Sequence, residues 1–175
     1  MRRGVLAYVG LLISLYISKV FPQLDLLPFL YMLLPMLFIS DGELGFKNYR
    51  RGFLFGTALF PLLVLFPPDL SCPAWVLNQL GVATAEEVFF RGYLMKYFGN
   101  LPLSVLFSLS HLIHYPTLNS VLVFFPSLLF GYAYAKSGSI IAPIMLHFSA
   151  NLFYFSFVKE FPQLHQLLQR QLTGG

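Results

Sequence analysis

Apolar residues fall along this chain in seven long runs, at roughly 4–20, 26–40, 52–66, 73–97, 101–115, 119–136 and 139–158, with short polar stretches between them. A helix needs about 20 apolar residues to cross the hydrocarbon core, and somewhat fewer when its ends snorkel. The pattern therefore predicts an all-α, polytopic transmembrane helical bundle of about seven membrane segments, built as one membrane-embedded domain over residues 1–175. Several runs are short, so tilted, re-entrant or interfacial segments are expected among them. Pro35, Pro61, Pro126 and Pro143 lie inside predicted spans. Bundled membrane helices tolerate such prolines because neighbours satisfy the freed carbonyls.

Composition supports this reading. Hydrophobic residues make up 57% of the chain and charged residues 10%, against about 25% charged in a soluble domain. Such a chain cannot cover a water-facing surface, and its outer face is expected to meet lipid. The twenty Phe and ten Tyr suit helix packing and interfacial belts. A net charge of +4 is spread over loops and helix ends without a basic run, which speaks against nucleic acid as a partner. Arg2, Arg3, Lys47, Arg50, Arg51, Lys96 and Lys136 fall on one side if the seven segments alternate. The positive-inside rule then predicts a cytoplasmic N-terminus. Met1-Arg2-Arg3 and the run after it resemble a signal peptide, but no small-x-small cleavage site follows, so a retained first span is expected. The tail, 159–175, reads as amphipathic and interfacial. The single cysteine, Cys72, sits in a Pro-rich loop with nothing nearby to activate it.

Three charges break the pattern. Glu86, Glu87 and Arg91 lie in the middle of the fourth run, where each costs at least ~2.5–3.5 kcal/mol on insertion scales and marks a functional candidate. Glu87 and Arg91 are four residues apart and can pair within one helix. Glu86 is offset by about 100° from Glu87 and is expected to face a cavity. At ~1.5 Å per residue, Glu86 lies about 20 Å into its span, His111 about 15 Å into the next and His147 about 12 Å into the last. All three therefore fall near the bilayer middle, and Asn151 follows His147 on the same helix face. His114, near a span end, and His165, in the tail, are assigned to structure or solvent.

The known intramembrane chemistries differ in what they require. No His-Glu-x-x-His is present; Asp25, Asp41 and Asp69 are loop residues; and Ser137-Gly138-Ser139 sits at a span boundary. Ser108, Ser110 and Ser149 are left as structural. A carboxylate, two imidazoles and an amide remain, a set that suits a water nucleophile. Glu86 is the expected general base, with His111 holding the same water. His147 and Asn151 are expected to donate to the oxyanion. No cofactor is expected; a zinc ion held by Glu86, His111 and His147 is the alternative.

These residues carry a family resemblance. Glu86-Glu87-Val88-Phe89-Phe90-Arg91 resembles the EExxxR signature of the CAAX prenyl protease type II and bacteriocin-processing family of glutamic intramembrane proteases. Phe107-Ser108-Leu109-Ser110-His111 resembles its FxxxH signature, and His147-Phe148-Ser149-Ala150-Asn151 its HxxxN. The resemblance implies a glutamate-dependent intramembrane endopeptidase with its active site in the bundle core and a catalytic core over about 73–158. Glu86 and His111 would activate water, His147 and Asn151 would hold the oxyanion, and Glu87, Arg91 and Phe107 would support them. The expected substrate is a membrane-anchored protein or peptide, for example a C-terminal sorting segment or CAAX-like tail. The expected location is the bacterial cytoplasmic membrane. A non-catalytic scaffold or immunity protein and a proton-relay transporter are the rival readings; oligomeric state is not legible.

Overall fold

The computed structural model describes residues 1–170, and among these it contains helices and turns but no strand. Helix α1 (Arg2–Val20) is followed by two short pieces, α2 (Leu27–Leu33) and α3 (Pro35–Phe38), then the single turn α4 (Asp41–Leu44). The third apolar run forms α5 (Tyr49–Gly56) and α6 (Phe60–Leu65). The fourth begins as α7 (Pro73–Glu87), widens into a π-helical turn over Val88–Tyr93 and tightens into a 3₁₀ turn over Leu94–Lys96. Then come α8 (Asn100–His114), α9 (Leu118–Leu122), α10 (Phe124–Ser137), α11 (Ile141–Glu160) and α12 (Pro162–Leu168).

The helical segments lie where the apolar runs are, but they are not equivalent. Three are long and apolar enough to cross a membrane: Arg2–Val20, the α9–α10 stretch Leu118–Ser137, and Ile141–Glu160. The others are shorter or interrupted, so the expected count of about seven spans rests on the run pattern, not on helix length. Proline explains much of the interruption. Pro35 and Pro61 stand at the first positions of α3 and α6, and Pro126 and Pro143 fall in the first turns of α10 and α11. A first-turn N–H has no intrahelical partner to lose. Pro126 and Pro143 thus lie inside candidate spans as expected, whereas at Pro35 and Pro61 the chain restarts its helix at or just before the proline.

Helix α11 is the central element, packed against α5, α6, α7 and α10, while α1 closes the other side against α2 and α8. Small residues allow the close approaches. A Cβ on Gly52 would lie 2.6 Å from Ser139 Oγ, and one on Gly56 2.8 Å from Met145. Where α4 meets the π turn, a Cβ on Gly92 would lie 2.9 Å from the Leu44 carbonyl oxygen.

The loops gather at two ends. At one, the Ile140 N–H donates to Gly45 O (2.8 Å) and Asn48 Nδ2 to Gly138 O (3.2 Å), while Gly4 packs against Tyr97. At the other, Lys19 Nζ donates to Ile113 O (2.9 Å) and Lys159 Nζ to Asp69 Oδ2 (3.2 Å). The tail folds back at this second end: α12 packs on α9 and α11, and Gln169 Nε2 donates to Tyr154 Oη (3.0 Å). Residues 171–175 of the predicted amphipathic tail lie outside the described residues.

Candidate active site

Glu87 and Arg91 are the most deeply buried charges, at 0% and 1% exposure. Arg91 Nη1 donates to Glu87 Oε1 at 2.9 Å, across the junction of α7 and the π turn. Its Nη2 donates to both the carbonyl (2.9 Å) and the hydroxyl of Ser127 on α10. The guanidinium carbon lies 5.0 Å from the Phe107 ring centre, 5.7 Å from Phe130 and 6.0 Å from Phe90. Buried charge is costly unless paired and hydrogen-bonded; here a carboxylate, a serine and three aromatic faces supply that compensation. π-helical turns are rare and are frequently found at functional sites, and this one directly follows the paired glutamates.

The same Glu87 oxygen takes a second bond, from His147 Nδ1 on α11 at 2.8 Å. With Arg91 donating to that oxygen as well, Oε1 is an acceptor, so the His147 proton sits on Nδ1. The other ring nitrogen, Nε2, lies 3.7 Å from Glu86 Oε2. Phe130 stacks on the imidazole at 5.0 Å and 20° between planes. His147 is thus held on one edge by Glu87 and on one face by Phe130.

Glu86 is arranged differently. Its Oε2 is buried and has no hydrogen-bond partner. It faces a cavity of about 590 Å³ that is also lined by His111, His147 and Asn151. His111 Nδ1 lies 3.0 Å from the Phe107 carbonyl. A carbonyl only accepts, so Nδ1 carries the proton and Nε2 keeps its lone pair. Asn151 donates from Nδ2 to Gln79 Oε1 at 3.2 Å, leaving the second N–H of its amide uncommitted.

The structure therefore brings Glu86, His111, His147 and Asn151 to one cavity that Phe107 also lines, with Glu87 and Arg91 behind it. No direct hydrogen bond joins Glu86 to His111. His114, assigned above to structure or solvent, lines the same cavity, and its Nδ1 is buried without a partner. Ser108 and Ser110 bond to backbone carbonyls of Ser120 and Phe107, whereas Ser149 Oγ is buried without a partner. Among the described residues, no three His, Cys, Asp or Glu side chains converge as a metal-holding group. For the zinc alternative, Glu86 Oε2 and His147 Nε2, 3.7 Å apart, are spaced as two ligands of one ion could be, with Glu87 orienting the ring from Nδ1, but no third His, Cys, Asp or Glu side chain among the described residues converges with them.

Sequence reasoning missed three contributors. Gln79 precedes Glu86 by seven residues, two turns along the same helix face, and that spacing was a usable signal. Ser127 and Phe130 had none, because isolated serines and phenylalanines are common throughout this chain. Nor did helical spacing reveal that Glu87 serves His147 as well as Arg91.

No curated protein and no solved structure gives a significant match to this chain. A family model described as type II CAAX prenyl endopeptidase Rce1-like matches residues 68–153, a segment running from the loop before α7 into the middle of α11. All seven of the predicted site residues fall inside it. Over residues 68–153, then, the chain is similar to the type II CAAX prenyl endopeptidase Rce1-like family, a family of proteases.

Proposed function

We propose that this protein is a glutamic-type intramembrane endopeptidase that hydrolyses a peptide bond of a membrane-anchored protein or peptide. The observation that carries this reading is the buried, unpartnered Glu86 carboxylate oxygen sharing one cavity with His111, His147 and Asn151. A carboxylate without hydrogen bonds is free to take a proton, and a buried one needs a reason to be there.

In this reading a water molecule sits between Glu86 and His111 Nε2. Glu86 accepts one proton from it as the oxygen attacks the scissile carbonyl carbon. The carbonyl becomes a tetrahedral oxyanion, which accepts hydrogen bonds from the free Asn151 amide N–H and from His147. His147 donates from Nε2 only as an imidazolium, because Nδ1 is committed to Glu87. The proton held by Glu86 then passes to the leaving amine as the C–N bond breaks. About seven membrane segments and a cytoplasmic N-terminus complete the reading.

Purified full-length protein in liposomes, given a palmitoyl-anchored, quenched fluorescent peptide library, tests it. Glu86→Gln should lower kcat/KM by ~10²–10⁴-fold, the usual worth of a general base, and His147→Ala should fall comparably. A Glu86→Gln protein that cleaves like wild type ends the proposal. Activity lost to a chelator and restored by zinc would replace the water mechanism with the metal-dependent one.

A further inference from the structure

The cavity around Glu86 has a direction. Its walls reach Asp25 in the α1–α2 loop, Tyr115 between α8 and α9, Asn119 in α9, and Tyr154 in the last turns of α11. All of these belong to the end where Lys19 meets Ile113 and Lys159 meets Asp69. Toward the opposite end the site is sealed. Phe107 and Phe130 form its floor, with Phe90 and Arg91 packed behind them, and all four are no more than 2% exposed. A second cavity, of about 530 Å³, lies at that opposite end between Arg3, Tyr93 and Lys96. It shares no lining residue with the first.

Charge distinguishes the two ends as well. The sealed end carries Arg2, Arg3, Lys47, Arg50, Arg51, Lys96 and Lys136; the open end carries Lys19, Lys159 and Arg170; the eleventh cation, Arg91, is buried. Setting aside the two arginines at the start still leaves five against three. Lys and Arg in short loops are retained on the cytoplasmic side, so the sealed end faces the cytoplasm.

We infer that the catalytic cavity opens on the extracytoplasmic side, and that its substrates are membrane-anchored polypeptides whose scissile segment is presented there, not on the cytoplasmic face. This rests on the proteolytic reading above and adds the side from which substrate enters. A peptide emerging from the outer leaflet beside α9 reaches Glu86 without crossing the floor. One approaching from the cytoplasm meets the Glu87–Arg91–Ser127 network and its aromatic rings.

The chain supplies its own topology probe. Cys72 is the only cysteine, and it is exposed in the loop before α7, at the open end. In cells expressing the full chain in a bacterial cytoplasmic membrane, with the outer membrane permeabilised, a membrane-impermeant maleimide should label Cys72. A Cys72→Ala/Gly42→Cys protein should label only after the inner membrane is opened, since Gly42 lies in α4 at the sealed end and an added side chain there meets nothing within 4 Å. The reverse labelling pattern overturns the inference. The palmitoyl-anchored peptide library, supplied from the bath, should then be cut by right-side-out vesicles and not by inverted ones, with Glu86→Gln silent in both. Glu86-dependent cleavage confined to inverted vesicles overturns the inference while leaving the protease reading intact. No Glu86-dependent cleavage in either orientation defeats the protease reading and this one with it.

Discussion

Glu87 offers the sharpest test of how the site is held together. Its buried Oε1 accepts from Arg91 at 2.9 Å and from His147 at 2.8 Å. Glu87→Gln keeps the shape but removes the directly paired negative charge, leaving Arg91 in contact with only neutral side chains and the aromatic rings. Removing one partner of a buried ion pair costs about 3–5 kcal/mol, because the other charge stays buried and uncompensated. Glu87→Gln/Arg91→Met removes both charges and should restore most of that loss, since replacing a whole buried pair by apolar bulk is often neutral. Activity should behave differently. Both variants lack the carboxylate that fixes the Nδ1 proton of His147, so kcat should stay depressed even where stability returns, with KM little changed. Thermal unfolding in detergent micelles reads the first quantity and single-turnover cleavage the second. A double variant as unstable as Glu87→Gln would refute the ion-pair account, and a double variant with full kcat would refute the positioning role for Glu87.

Two further outcomes follow from other parts of the molecule. Gly131→Ala should destabilise the α8–α10 contact by ~1–3 kcal/mol, the usual cost of overpacking, because its new methyl would collide with Asn100, whose Nδ2 donates to Leu128 O at 3.0 Å; unchanged thermal unfolding would show that this crossing yields easily. At the open end, bonds from Ser71 and the Lys159 ammonium hold the Asp69 carboxyl down at about 2, from 3.8. That tie should be fully present above about pH 4 and lost as pH falls toward 2, read as faster hydrogen exchange at the Ser71 amide. Asp69→Asn should remove the pH dependence, and a wild-type loop indifferent to pH in that window would refute the tie.

Much of this protein was legible in its sequence because lipid imposes a simple rule. Segments that satisfy their own backbone must be helical, and apolar length marks them. For the same reason Glu86, Glu87 and Arg91 stood out: a charge in the middle of an apolar run is expensive and needs a partner. The i, i+4 spacing correctly separated the Glu87–Arg91 pair from a cavity-facing Glu86. Composition and spacing could not show where helices are interrupted, since a proline starts one helix and kinks another according to its neighbours.

Only the tertiary structure decided which groups meet. The bond from His147 to Glu87 spans sixty positions in sequence, and the one from Asn151 to Gln79 spans seventy-two; neither leaves a periodic trace in the chain. The direction of the cavity is likewise a property of packing. It depends on Phe90, Phe107 and Phe130 converging from three different segments around Arg91, and in sequence each is one phenylalanine among twenty. Local pattern determines a helix and the depth of its charges, because both are set by spacing along one axis. What lies beside what, and which end is closed, is set by contacts between helices, which spacing along a single helix does not encode.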